Sequence, residues 1–232
     1  MMPVWSRAVA LAVLLGATPA YAAPGDIPKL DAAKPDAATL LFETPQLTTT
    51  KPNDTLVYDY KQTNTNPQLF GPDVTDSIRL TVDSSAKPDA RTVRAQLFTG
   101  PRHRAAGPFE NVTGNPVLSL FLEQHVQALA QQLHANPRYL KNAIRAALRD
   151  KADVTATEVT IAGRTLPGWR VRITPFVADP NKARMAGLDG LAYEFTVADG
   201  VPGDIAEIRV SAPGGNGKNL FEETLTYDPT AS

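Results

Sequence analysis

His125 has the side chain in this sequence best suited to acid–base chemistry. It falls on the apolar face of a predicted helix, between Leu122 and Leu129. A polar group there needs a hydrogen-bond partner, because leaving it unpaired costs about 1–3 kcal/mol. We therefore interpret His125 first as a core histidine bonded to a strand carbonyl or to another side chain. The alternative is a general base or ligand-contacting group, with Gln132 further along the same face.

Two sets of basic side chains have the spacing of an anion site. Four of them share one side of a second predicted helix, within an arc of roughly 80°: Arg138, Lys141, Arg145 and Arg149. Arg102 and Arg104 flank His103 in a long connection. Guanidinium and ammonium groups so placed suit phosphates, sugar acids or an acidic partner. The favoured interpretation is a solvated helix face, whose later members also suit the negative end of the helix dipole.

Other spacings argue against metal and enzyme chemistry. Asp179 and Asp189 bracket a loop but lack the alternating ligands of a calcium loop. Glu222 and Glu223 are adjacent in a predicted strand and therefore point to opposite faces. The sequence has no G-x-S-x-G, H-E-x-x-H, Walker or G-x-G-x-x-G motif in a suitable context. We predict no metal, no cofactor and a non-enzymatic protein.

The composition narrows the classes further. The chain has 232 residues, 23 basic and 24 acidic, and no cysteine. Disulfides, thiol nucleophiles, cysteine-bound metals and acylation of a cysteine are thus excluded. The nearly balanced charge favours neither nucleic acid nor an anionic membrane as a partner, because both select for basic proteins.

The first 22 residues have the pattern of a cleavable secretory signal. Arg7 precedes an apolar run over residues 8–15, and Ala20-Tyr21-Ala22 supplies the small-x-small cleavage pattern. The run is shorter than the ~20 residues that span a bilayer, and no later segment is apolar enough. We predict export to the periplasm, or alternatively secretion from the cell, without a transmembrane anchor. The remaining chain has 22 basic and 24 acidic residues, a charge of −2.

Apolar residues alternate with polar ones in eight segments, which predicts eight strands with one dry face each. These segments centre on residues 56–60, 78–82, 93–97, 159–161, 171–173, 191–197, 206–210 and 221–227. Residues 23–53 are interpreted as a flexible lead with a short docking segment at 40–42. Residues 99–116 are interpreted as a covering or mobile loop. Residues 54–232 are predicted to form one domain.

Two helices are predicted between the third and fourth strands, at about 115–134 and 136–151. Each begins with Asn-Pro, at Asn115 and Asn136. Asparagine suits a helix cap because its side chain accepts a bond from an unpaired amide, and proline suits the first turn. The fold class is therefore α+β: a curved, mostly antiparallel sheet packed on an inserted helix pair.

This order of elements, over about residues 54–228, resembles the half-barrel periplasmic carriers of the lipoprotein-sorting pathway and uncharacterised secreted proteins of Gram-negative bacteria. The resemblance is one of fold and transfers no functional residue. It implies a cavity between sheet and helices for an acyl chain.

We therefore expect a carrier for a lipid or another apolar small molecule. Its pocket is predicted from residues on the dry faces of the strands and helices: Tyr58, Tyr60, Tyr193, Phe195, Leu122, His125 and Gln132. One alternative is an envelope assembly factor with a packed core that binds a protein partner. A third, less favoured, is a hydrolase with its site around His125.

Overall fold

A computed structural model of the chain describes residues 34–215 and 217–232. The predicted signal over residues 1–22 lies outside the described residues. The fold is α+β, as predicted, with a curved antiparallel sheet and an inserted helix pair. Within the described part of the chain, no helix is both long and apolar enough to cross a membrane.

The sheet has nine strands in the order β4-β3-β2-β1-β9-β8-β7-β6-β5. Strands β1 to β4 form one antiparallel meander and β5 to β9 a second, and the pairing of β1 with β9 joins them at the centre. Their bounds are β1 Thr55–Asn64, β2 Val74–Ser84, β3 Arg91–Leu97, β4 Arg104–Val112, β5 Asp153–Ile161, β6 Arg164–Ile173, β7 Ala192–Val197, β8 Ile205–Pro213 and β9 Asn219–Tyr227.

The topology forces the helix pair across one face of the sheet. A one-turn helix, α1 (Pro67–Phe70), connects β1 to β2, whereas α2 (Val117–Leu133) and α3 (Pro137–Asp150) connect β4 to β5. Because β4 and β5 are opposite edges of the same sheet, the chain between them must traverse it. The helices do so with their apolar sides buried against the strands, which forms a single core.

Asparagine side chains mark the beginning of both long helices. The Asn136 side chain accepts a hydrogen bond from the Arg138 amide at 2.9 Å, with proline in the first turn of α3. At α2, the Asn115 side chain accepts from the Val117 amide at 3.0 Å, one residue before the cap position. Both use the capping chemistry expected from the sequence.

One strand escaped the sequence pattern. Residues 99–116 were expected to form a loop, but Arg104–Val112 forms the edge strand β4. Most of its side chains are exposed or half-buried on both faces, so the period-two alternation is absent. It contains Pro108 and has irregular register with β3, features that an edge strand tolerates because one side needs no partner.

The segment before β1 docks beside the beginning of α2. Residues Thr39–Glu43 and Gln46–Thr49 form short helical turns that bury Leu41 and Leu47. The buried Gln46 side chain accepts from the Asn115 amide at 2.8 Å and donates to the Leu40 carbonyl at 3.1 Å. This segment therefore forms part of the surface around α2.

Candidate functional site

The structure brings three of the predicted ligand residues together, inside the core. His125 is 2% exposed; its Nδ1 lies 2.6 Å from Glu223 Oε2 and its Nε2 lies 3.0 Å from the Tyr193 hydroxyl. The Tyr60 hydroxyl donates to the other Glu223 oxygen at 2.8 Å. We call His125, Glu223, Tyr193 and Tyr60 the core network. It ties α2 to strands β1, β7 and β9, with a partner for each ring nitrogen.

Burial and the nearby carboxylate keep the two phenols of the core network protonated. Burial, reinforced by the charge of Glu223, raises the pKa of Tyr60 and of Tyr193 well above the ordinary value. Each hydroxyl thus keeps its proton. Such a closed set of mutually bonded groups supports the attachment of the helix to the sheet.

The remaining predicted ligand residues are separate from this network. The Tyr58 hydroxyl accepts from the Asn115 side chain at 2.8 Å, and Phe195 is completely buried in the core. Gln132 is half-buried on α2. Burial raises the pKa of Tyr58 as well, so it too stays protonated.

Leu122 lies instead at an apolar groove between α2 and α3, with a volume of about 130 Å³. Along its floor are the buried side chains Val126, Ile144 and Leu148. Phe42, from the docked segment, closes one side and is 48% exposed. We call this the helix groove; its lining residues are Phe42, Ser119, Leu122, Glu123, Val126, Lys141, Ile144, Arg145 and Leu148.

The rim of the helix groove is positively charged. Lys141 and Arg145 both line it, and Glu123 is the one acidic lining residue. Lys141 forms an ion pair with Glu123, and hydrogen bonds from Lys141 and Gln127 lower the pKa of that carboxyl. Arg145 therefore adds a net positive charge to an apolar groove, an arrangement that matches an apolar chain with an anionic head.

A second pocket adjoins the helix groove. Its volume is about 410 Å³, and Phe42 and Ser119 line both cavities. Its apolar walls come from the docked segment, β4 and α2: Leu41, Phe42, Phe109, Val112 and Leu118. The volume lies within the range of about 300–1,000 Å³ that is usual for small-molecule sites.

The other predicted basic residues do not join this groove. Among its described lining residues neither Arg138 nor Arg149 occurs, and Arg149 pairs with the adjacent Asp150. Arg102 pairs with Asp76 at 2.5 Å, and Arg104 donates to Gln124 at 3.2 Å. The predicted anion surface is thus divided, and two of its members, Lys141 and Arg145, line the helix groove.

A further pocket of about 400 Å³ lies beside the turn between α2 and α3, between Leu133, Leu140 and Met185. The described lining of this pocket has one carboxylate, Asp179. It accepts hydrogen bonds from the Tyr139 hydroxyl at 2.5 Å and from the Asn181 backbone amide at 2.7 Å. Asp189 does not line it. Among the described residues, no three histidine, aspartate or glutamate side chains form a group that could hold a metal.

Sequence reasoning missed two residues of these sites. Glu223 shares the dry face of β9 with Phe221, Leu225 and Tyr227, so a carboxylate on that face was the signal for a buried partner. Phe42 was assigned to docking, but its exposed ring forms a wall of both cavities. The distance in sequence between the docked segment and α3 concealed that contact.

Comparison with known proteins gives little further information. The sequence matches no protein-family model and no curated protein. Among solved structures, the crystal structure of the Mycobacterium tuberculosis lipoprotein LppX is weakly similar, with a TM-score of 0.34 and 9% sequence identity. That similarity covers 79% of this chain and 90% of LppX. It is too weak to bear on function.

Proposed function

We propose that this protein is an exported, non-enzymatic carrier for an amphiphile with an apolar chain and an anionic head group. The observation behind the proposal is the helix groove, in which Lys141 and Arg145 border the apolar side chains Leu122, Ile144 and Leu148. The head group binds at these cations, and the chain lies along α2. The adjoining pocket of about 410 Å³ receives the rest of the chain past Phe42.

The proposed ligand site lies at the surface between α2 and α3 and not in the core, where the sequence predicted the pocket. Tyr58, Tyr193 and Phe195 are completely buried, and none of them lines the helix groove or either of the two larger pockets. The side chains of the core network bond to one another. Of the ligand residues predicted from the sequence, Leu122 lines the helix groove.

The direct test is a binding measurement with oleate as the probe. Oleate is titrated into the full chain and competes with a fluorescent fatty acid; methyl oleate, which lacks the charge, is the matched ligand. We expect oleate to bind saturably and methyl oleate to bind at least tenfold more weakly, because a lost charged contact removes about 1.5–3 kcal/mol. Equal affinity for the two ligands would exclude a role for the cations.

The matching variants reverse charges on α3. The double substitution Lys141→Glu and Arg145→Glu should weaken oleate binding by at least about tenfold. Arg138→Glu is the control, because Arg138 is exposed on the same helix but lies outside the helix groove. An unchanged affinity in the double variant, or an equal loss in the control, would contradict the assignment. Crosslinking that captures one defined protein and no lipid would favour an assembly factor.

A further inference from the structure

A small cavity between β6 and the β7–β8 connection holds a buried carboxylate without a partner. The cavity has a volume of about 60 Å³ and lies on the docked segment as well as on the sheet. Asp204 is 7% exposed, and among the described residues its Oδ1 has no hydrogen-bond partner. Buried carboxylates are normally paired or hydrogen-bonded, because removing them from water is costly. Asp204 therefore faces a space suited to a cation.

A second carboxylate strengthens the negative field. Asp199, exposed in the same connection, also lines the cavity. Burial and the charge of Asp199 raise the pKa of Asp204 to about 7, so the group is substantially ionised near neutral pH. The lining contains no lysine, arginine or histidine to neutralise the pair: Leu40, Thr44, Pro167, Gly168, Trp169, Val197, Asp199 and Asp204.

The walls of the cavity indicate which cation it takes. Calcium and magnesium are bound by six or more oxygens, but most of this lining is apolar or aromatic. The Thr44 hydroxyl already donates to the Thr39 carbonyl at 2.8 Å. Trp169 offers an aromatic surface, which attracts organic cations. Leu40, Pro167 and Val197 suit a short alkyl chain.

The backbone around Asp204 is held in place. Asp204 has φ 58°, a left-handed conformation that aspartate and asparagine tolerate better than most residues. Its amide donates to the Val201 carbonyl at 2.8 Å, and its carbonyl accepts from the Ala198 amide at 2.9 Å. Gly168 also lines the cavity, and a Cβ added to it would lie 2.6 Å from the Val197 carbonyl oxygen. The cavity is thus bounded by closely packed backbone.

We propose that this cavity binds a primary alkylammonium group, with Asp204 at its base, Asp199 at its mouth and Trp169 along its wall. The group comes from a free small amine or from a lysine side chain. The small volume admits the ammonium head with a short alkyl stem. This site is separate from the helix groove, so failure of either proposal leaves the other intact.

The test uses Trp169 as its own reporter. Trp5 and Trp169 are the two tryptophans, so the full chain with Trp5→Phe emits from Trp169 alone. At pH 8.5, n-butylammonium chloride should change this emission saturably beyond the effect of sodium chloride at equal ionic strength. Asp204→Asn should weaken the binding at least about tenfold, and Asp199→Asn should weaken it less. Asp59→Asn, an exposed aspartate on β1, should leave it unchanged.

Three results would overturn the proposal: no saturable change, unaltered binding in Asp204→Asn, or calcium acting in place of the amine at equal concentration. Asparagine suits the left-handed backbone at this position, and Asp199→Asn gives a second variant if the first fails to fold. Nα-acetyl-lysine amide separates the two sources. Binding equal to that of butylammonium assigns a lysine side chain, whereas binding of butylammonium alone assigns a free amine.

Discussion

Polar side chains next to the two sides of helix α2 differ in whether they have hydrogen-bond partners or opposite charges. On the inner side, His125 is 2% exposed and has a partner at each ring nitrogen. On the outer side, α2 borders the helix groove, where Lys141 and Arg145 of α3 line the apolar surface and Glu123 is the single acidic lining residue. The buried histidine therefore serves to attach the helix to the sheet, whereas the excess of positive charge beside open apolar surface is the basis for the ligand site that we propose.

We expect the strongest effect for a substitution on the inner side of α2. Replacing His125 with leucine leaves the Glu223 carboxylate buried with a Tyr60 hydroxyl as its remaining side-chain partner. We expect the free energy of unfolding to fall by about 3–5 kcal/mol, because an uncompensated buried charge is costly. Urea unfolding followed by circular dichroism measures the change.

The matched control for His125→Leu removes both members of the hydrogen-bonded pair, His125 and Glu223. The double variant His125→Leu and Glu223→Leu should be less destabilised than the sum of the two single variants. Additive losses would mean that the two side chains do not interact, and the core network would lose its proposed role. Oleate affinity of the folded protein should stay within about twofold in either case.

We expect a smaller effect, on oleate affinity, when a bulky side chain fills the helix groove. Leu122→Trp places an indole in the helix groove, whose volume is about 130 Å³. Oleate binding should weaken by about tenfold, because the apolar floor becomes inaccessible. The control is Leu120→Trp, since Leu120 is also half-buried on α2 but lies outside the groove lining. Equal affinities for the two variants would place the amphiphile elsewhere.

The last expected effect depends on pH and arises at Asp204. Its pKa is raised from 3.8 to about 7, and its titratable neighbours are Asp199 and Tyr58. The folded state therefore binds this proton more tightly than the unfolded state, so stability falls as pH rises from about 4 to about 7. Asp204→Asn should remove this loss of stability, because asparagine does not ionise.

Thermal unfolding measures this last prediction. At pH 8, Asp204→Asn should raise Tm by a few degrees, and at pH 4 it should change Tm little. Asp59→Asn provides the comparison for the loss of a surface carboxylate. A gain that is equal at both pH values would show that ionisation of Asp204 does not cost stability.

The sequence predicted the elements with strong periodicity. Eight strands and the helix pair were visible because each has one apolar face, and the Asn-Pro pairs indicated where the helices begin. Strand β4 was missed because its side chains are exposed or half-buried on both faces. A local pattern carries no signal when neither face of a strand is dry.

The sites were harder to predict, because they join residues distant in sequence. The pair His125 and Glu223 spans 98 positions, and the helix groove needs Phe42 beside α3. The dry-face position of Glu223 showed that it needs a partner, but only the sheet order shows which one. Helix periodicity put four basic residues on one side of α3. Only the packing of α3 against α2 shows that Lys141 and Arg145 are the two that line the groove.

The most direct test compares the two sides of α2 in one binding experiment. Oleate affinity is measured for His125→Gln and for the double variant Lys141→Glu and Arg145→Glu, each at a temperature where it is folded. We expect His125→Gln to bind within about twofold of the parent and the charge reversal to bind at least about tenfold more weakly. If His125→Gln instead lost affinity and the charge reversal kept it, the ligand would bind in the core and not in the helix groove.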